Sequence, residues 1–281
     1  MLNLYRSIFS RYERNGLGLK NVLIVGEGSY IGQALVKYAN TALFSVTTVG
    51  ARNNRWKSAD FSKFDTVIHC AGIAHTAQKK GTESLYYKVN CDLSVSVAKA
   101  AKHAGVGQFI YLSSVAAINP KPTNFYGSSK LKAEKLLQKL GGQMSVCIVR
   151  PPMVYGFGCK GNFSKFVKLV KILPVYPNVQ NRRSMISIDN LCEFIYQAVL
   201  KNKSGIHLPQ NAEYVDTTEL ALLVAKYHNR KIYTTKVFNP IIYLLRKHFA
   251  PFNKLFGDLA FEMKGDESDY NIVDFESFSK L

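Results

Sequence analysis

The chain has 281 residues, 47% of them hydrophobic and 20% charged, which is the make-up of an ordinary globular protein with length for one large domain or two modest ones. A disordered tail, a collagen-like repeat and a disulfide-stapled miniprotein are excluded. The 37 Lys and Arg outnumber the 19 Asp and Glu, giving a formal charge of +18. Such an excess points to phosphate in some form: nucleic acid, an anionic membrane or phosphorylated small molecules.

At the N-terminus, Tyr5, Ile8, Phe9 and Tyr12 recur at helical spacing among Arg6, Arg11 and Arg14. This pattern reads as an extra helix packed on its own domain, a frayed terminus or a membrane-surface helix. No secretory signal is evident, and no apolar run reaches the roughly 18 residues of a spanning helix. The five cysteines (Cys70, Cys91, Cys147, Cys159 and Cys192) are an odd, widely spaced set and read as the reduced thiols of a cytoplasmic protein. His69 and His75 flank Cys70-Ala71-Gly72, while His103, His207, His228 and His248 are scattered, so no metal site is expected.

Asn21–Val25 is a short β-branched run ending at a glycine, as a buried strand does. A helix is expected from Gly32 to Asn40, a second strand over Ser45–Val49, and a third or fourth over Asp65–Cys70. Helical periodicity over 83–104, a strand at Gln108–Leu112, a helix from Gly127 to about Lys139 and a strand at Ser145–Val149 follow. Strands alternating with helices imply βαβ units and a doubly wound parallel sheet. Beyond Arg150 the pattern loosens into helices near 162–172, 189–201 and 217–228. We expect a dinucleotide-binding domain at 20–155, a smaller substrate lobe mostly at 156–265 with some return to the sheet near 185–200, and an N-terminal extension at 1–19.

The first strand runs into Gly26-Glu27-Gly28-Ser29-Tyr30-Ile31-Gly32. This fits G-x-x-G-x-x-G with Ser29 in the middle, a turn whose small residues let backbone N–H groups and a helix N-terminus meet a pyrophosphate. The second strand ends without the acid that would hold an NAD ribose; Arg52 and Arg55 there suit a 2′-phosphate and favour NADP. Asp60-Phe61 lies where an acid and an apolar residue could contact the adenine. Tyr126 and Lys130 stand four residues apart, on one helix face. A nearby cation favours the phenolate, and the hydroxyls of Ser113-Ser114, at a strand end, can orient a substrate oxygen. Carbinol-to-ketone chemistry needs this set beside a nicotinamide.

These features together resemble the extended short-chain dehydrogenase/reductases, the NAD-dependent epimerase/dehydratases of nucleotide sugars, over roughly residues 20–260. Val89-Asn90, Arg150-Pro151-Pro152-Met153-Val154-Tyr155-Gly156, Gly161-Asn162-Phe163, Asn181-Arg182-Arg183-Ser184 and Ile188-Asp189-Asn190-Leu191 are similar to the capsule and O-antigen subgroup acting on UDP-N-acetylhexosamines. The resemblance implies a Rossmann-type sheet and catalysis by Ser114, Tyr126 and Lys130. The cofactor, NADP or NAD, is expected to meet Gly26, Ser29, Tyr30, Ile31, Gly32, Arg52, Asp60, Phe61, Ala71, Lys130 and Pro151; Asn162 and Arg183 would hold the substrate diphosphate. Two departures stand out: Ser29 replaces the middle glycine, and Tyr126 follows Ser114 by only twelve positions.

The expected function is NAD(P)-dependent chemistry at C4 of a UDP-activated, N-acetylated (deoxy)hexose for polysaccharide precursors, with 4-keto reduction ahead of 4-epimerisation with retained NAD. A non-catalytic nucleotide-binding protein is the reading from another class. A UDP-sugar is the expected partner, nucleic acid is not, and a homodimer and peripheral contact with the inner membrane surface are further candidates. Ile241, Ile242, Leu244, Leu245 and Phe249 beside Arg246, Lys247 and His248 suit core packing, a dimer contact, or docking on a membrane or partner.

Overall fold

The computed structural model describes residues 18–74, 81–159, 161–262 and 269–275. The N-terminal pattern of Tyr5 to Arg14 and His75 lie outside these residues. In chain order the elements begin with strand β1 (Lys20–Val25), helix α1 (Tyr30–Tyr38), β2 (Phe44–Val49) and β3 (Thr66–His69). Next come α2 (Glu83–Tyr87), a π-helical turn (Lys88–Asp92), α3 (Leu93–His103), β4 (Gln108–Leu112), α4 (Phe125–Leu140), β5 (Ser145–Val149) and β6 (Met153–Tyr155). The chain continues with α5 (Asn162–Ile172), β7 (Val175–Pro177), β8 (Met185–Ser187), α6 (Ile188–Leu200) and β9 (Gly205–His207). It closes with α7 (Thr217–Tyr227), β10 (Tyr233–Thr235), α8 (Asn239–His248) and α9 (Ala250–Phe256).

The elements fall into two compact units: one runs to Pro151 and takes up Cys192–Pro209, and the other comprises Pro152–Leu191 and the chain from Gln210 onward. The first unit is a six-stranded parallel sheet in the order β2-β1-β3-β4-β5-β9, with α-helices in every connection but the one between β2 and β3. This is a Rossmann-like, doubly wound fold. Strands β3 and β4 are buried at every position, as both-face coverage of a parallel sheet requires, whereas the edge strand β2 exposes Ser45, Thr47 and Thr48. Val25 pairs with Val49 on one side and His69 on the other, and Leu112 pairs with Val149. The residues after β1, β3, β4 and β5 therefore emerge at one carboxyl edge, with a reversal of strand order at β1, where such sheets bind ligands.

Several boundaries move for local reasons. Helix α1 starts at Tyr30 rather than Gly32 because Ser29 caps it, its side chain accepting from the Gly32 N–H. Helix α4 starts at Phe125 rather than Gly127 because Asn124 Oδ1 accepts from the Gly127 N–H at 3.1 Å, which places Tyr126 in the first turn. The Asp65–Cys70 segment supplies the third strand in chain order. The stretch before it folds as two 3-10 turns (Arg52–Ser58 and Phe61–Lys63) broken by left-handed Asn53 and Asn54, with no further strand between β2 and β3.

In the second unit β6 pairs with β8 and β7 with β10, both in parallel. Helices α5 and α7 pack over a core of Tyr155, Phe163, Tyr176, Met185, Val224 and Phe256. Asn190, fully buried, accepts from the Ile272 and Val273 N–H groups at 3.0 Å. The Ile188-Asp189-Asn190-Leu191 segment thus anchors the end of the described chain to this unit.

Candidate active site

The turn after β1 explains its own residue choices. Gly26 has φ +121°, and a Cβ there would lie 2.7 Å from the Ala71 nitrogen, so the turn after β1 touches the turn after β3 and only glycine fits. A Cβ on Gly32 would lie 2.7 Å from Ser29 Oγ and 2.8 Å from the Gly26 carbonyl oxygen. Nothing lies within 4 Å of a Cβ at Gly28. Gly26 and Gly32 are therefore the sterically required pair, and Ser29 serves as the helix cap. The turn leaves Tyr30 and Ile31 half-buried in the first turn of α1, and the helix N-terminus suits an anionic diphosphate. Residues, turn and open space all fit a dinucleotide.

The 3-10 turn Val115–Ala117 follows β4, and α4 packs closely on it: a Cβ at Gly127 would lie 2.1 Å from the Ala116 carbonyl oxygen. That approach brings Ser114 and Tyr126 into side-chain hydrogen bonding despite the short connection between them. Ser114 Oγ also accepts from the Ala116 N–H at 3.2 Å. Burial raises the Tyr126 phenol above its ordinary value, more than the Ser114 hydrogen bond lowers it, so the phenol is held in its protonated form at neutral pH. Lys130, one turn on, is buried; its Nζ donates to the Leu112 carbonyl at 2.7 Å and lies 4.6 Å from the centre of the Tyr111 ring. Desolvation brings its ammonium down to about 8. A Cβ on Gly72 would lie 3.3 Å from that Nζ and 3.0 Å from Asn90 Oδ1. The π-helical turn presents Asn90, which bonds both the N–H and the carbonyl of Ile73 and donates to Ser129 Oγ.

Behind this group stands a buried network that sequence reasoning missed. Ser113 donates from Oγ to Glu134, and Glu134 accepts Nε and Nη2 of Arg150 in a two-pronged ion pair. The two charged side chains are 1% and 14% exposed. Ser113 is thus turned inward, and Ser114 is the hydroxyl presented to Tyr126. The available signal was position: Tyr126, Lys130 and Glu134 recur every four residues, so the buried face of α4 carries a carboxylate that must find a cation. Val115 donates its N–H to the Pro151 carbonyl at 3.2 Å, which fixes the end of β5 against the same turn. His69 is also buried, stacked against Phe109 and Tyr111, with neither ring nitrogen hydrogen-bonded. Burial and the Lys130 charge push its pKa down to about 3.

The remaining sequence candidates divide. Arg52 is exposed just past β2. Arg55 is bound to Glu27, Nη1 to Oε1 at 2.8 Å, and a Cβ at Gly50 would lie 2.7 Å from that same carboxylate oxygen. A carboxylate from the glycine turn thus covers the end of β2, where the sequence lacks an acid of its own. Asp60 caps the second 3-10 turn by accepting from the Ser62 N–H and hydroxyl, and these bonds hold its carboxyl below the usual range. Phe61 is buried against Trp56 in the core, so its ring is not presented at the surface with Asp60. Asn162 and Arg183 lie in the second unit: Asn162 is exposed in the first turn of α5. Arg183 is 6% exposed and donates from Nη1 to the carbonyls of Leu255 and Gly257, while Arg182 stacks over the Tyr214 ring at 4.4 Å.

Residues 22–209 match the NAD dependent epimerase/dehydratase family. The chain is similar to UDP-glucose 4-epimerase of Vibrio cholerae, at 31% identity over 72% of this chain and 74% of that protein. It is also similar to N-acetyl-alpha-D-glucosaminyl-diphospho-ditrans,octacis-undecaprenol 4-epimerase of Escherichia coli O157:H7, at 30% identity over 75% and 73% of the two chains. Among solved structures, dTDP-4-dehydrorhamnose reductase of Bacillus anthracis in complex with NADP superposes with a TM-score of 0.63. That match has 20% identity and covers 79% of this chain and 86% of the other, a likeness of fold.

Proposed function

Because the chain belongs to the NAD dependent epimerase/dehydratase family and takes NAD or NADP as its cofactor, we propose that it exchanges hydride and proton at C4 of a hexose carried on a diphosphate, as a 4-epimerase that retains its NAD. The observation that carries the reading is the Ser114–Tyr126 contact on the helix that also bears Lys130. A nicotinamide held here would supply the hydride acceptor for C4 and the hydride donor for the opposite face of the resulting carbonyl, which is what inverts the carbon. Tyr126 takes the C4 hydroxyl proton as the carbonyl forms and gives it back when the carbonyl is reduced, while the Ser114 hydroxyl holds the oxygen. Burial keeps the phenol protonated in the free protein, so the oxidative step requires Tyr126 first to lose its proton, and Lys130, one turn along the same helix, is the cation proposed to favour that phenolate.

The Glu27–Arg55 pair favours NAD over NADP. Its carboxylate at the end of β2 is an acceptor for a ribose hydroxyl and repels a 2′-phosphate. The two relatives act on a UDP-linked glucose and on an N-acetylglucosamine linked to a lipid diphosphate, by their names; the shared chemistry is a hexose 1-diphosphate ester. Asn162 and Arg183 are the proposed diphosphate ligands in the second unit, since a guanidinium fork suits phosphate oxygens. Net 4-keto reduction with NADPH is the second reading. It is favoured by the protonated phenol of Tyr126, the form that donates to a carbonyl oxygen, and by exposed Arg52.

Nucleotide released from purified protein, together with turnover of UDP-GlcNAc without added cofactor, tests the proposal. Bound NAD and approach to an epimer equilibrium are expected. Consumption of NADPH with a UDP-4-keto-6-deoxy-N-acetylhexosamine and no epimerisation would replace the first reading with the second.

A further inference from the structure

The second unit carries a surface that departs from the usual pattern of a surface helix. Helix α8 is anchored at its start by Asn239, whose Nδ2 donates to the Asn178 carbonyl at 2.8 Å, and Ile242 is its buried residue. Away from it stand Ile241 and Leu244, each 60% exposed, and Val237 just before the helix is 77% exposed. Tyr243 and Phe249 are also exposed. Charged residues ordinarily fill the outward face of such a helix; here Ile241 and Leu244 share the exposed surface with Lys247. The same unit exposes Tyr233, at the start of β10, and Ile172, at the end of α5. Large apolar side chains exposed in this number on one unit point to an interaction surface.

Charge decides what the surface meets. Between Glu219 and Asp258 the sequence contains Lys226, Arg230, Lys231, Lys236, Arg246, Lys247 and Lys254 and no carboxylate side chain. Lys231, Lys236 and Lys247 are exposed on the segment that carries the apolar side chains. A second copy of the chain packed face to face would set this cationic stretch against itself. A layer that is anionic outside and apolar beneath complements both properties at once.

We propose that this face docks on an anionic lipid bilayer, with Val237, Ile241 and Leu244 entering the boundary between headgroups and acyl chains and Lys231, Lys236 and Lys247 meeting lipid phosphates. The proposal stands independently of the catalytic reading. Sedimentation with phosphatidylglycerol/phosphatidylcholine vesicles, compared with pure phosphatidylcholine vesicles, tests it on the full chain. The protein is expected to bind the anionic vesicles only. The variant I241S/L244S, which changes no charge, is expected to weaken that binding at least about tenfold, with Tm and turnover of soluble substrate unchanged. Absence of vesicle binding, equal binding to neutral vesicles, or anionic binding indifferent to I241S/L244S would each overturn the proposal. So would self-association that the variant abolishes in the absence of vesicle binding, since the face would then be a subunit contact.

Discussion

Replacing Gly127 by alanine tests whether catalysis depends on how closely α4 lies on the turn after β4. The added Cβ would sit 2.1 Å from the Ala116 carbonyl oxygen, 2.7 Å from Asn124 Nδ2 and 2.9 Å from Pro120 Cβ. The first contact is to backbone, so the two segments must part by about 0.9 Å to reach even the tight limit of 3.0 Å. Overpacking of this kind costs about 1–3 kcal/mol of stability. The same displacement separates Ser114 from Tyr126, and a misplacement of about 1 Å in a reacting constellation costs on the order of a hundredfold in rate. Steady-state kcat/KM is expected to fall by that factor, while the dissociation constant of the dinucleotide, read by fluorescence titration, changes little because the glycine turn is untouched. Gly28→Ala, where a side chain meets open space in the free protein, serves as the stability control. Full kcat in a Gly127→Ala protein of normal cofactor affinity would refute the reasoning, because the close approach would then have no bearing on the hydroxyl pair.

Four further outcomes follow from the same geometry. Tyr126→Phe should lower kcat by about 100-fold or more with dinucleotide binding retained, measured by single-turnover kinetics and titration. Glu134→Ala strands Arg150 and the Ser113 hydroxyl in the interior and should cost about 3–5 kcal/mol in urea unfolding; a cost below about 1 kcal/mol would deny the network a structural role. His69 is held neutral, its pKa depressed to about 3 from 6.5, so the unfolded chain binds more protons between those values and stability falls as pH falls through that window. Beside Lys130, Phe109 and Tyr111, a His69→Phe ring keeps the stacking without the titration; between pH 7 and pH 5 it should lose about 2 kcal/mol less than the parent protein. Glu27→Ala frees Arg55 and should shift the NADP-to-NAD affinity ratio upward by about tenfold; an unchanged ratio would remove the argument that this pair selects the cofactor.

What the sequence disclosed depended on whether a function is carried by neighbours along the chain. The β-branched run before Gly26, the Gly26–Gly32 turn and the Tyr126/Lys130 pair are local patterns with fixed periods, and all led to the fold and the site candidates. Ser29 as a helix cap was within reach of the same reasoning, since serine before a helix is a common N-cap. The partners of charged groups were less accessible. Arg55 looked available for a phosphate until the structure set Glu27 against it, a pairing across 28 positions that only the strand register between β1 and β2 creates. Phe61 looked like an adenine contact because nothing in a linear reading says which side of a 3-10 turn faces Trp56. Ser114 was preferred over Ser113 by family resemblance alone, and the physical reason, the buried carboxylate of Glu134 claiming Ser113, lies in the fold. In each case the deciding interaction joins segments whose proximity is a product of the fold.

The division of the chain has a consequence for synthesis. The backbone leaves the first unit after Pro151, re-enters at Cys192 and leaves again after Pro209. During translation, strand β5 (Ser145–Val149) therefore waits with one edge unpaired until β9 has emerged some 60 residues later. An apolar strand with an open hydrogen-bonding edge is a template for joining other chains. A fragment cut at Pro151 would freeze that situation permanently, so a contiguous sheet unit made by simple truncation should aggregate. A version that carries residues 192–209 on a linker should remain soluble.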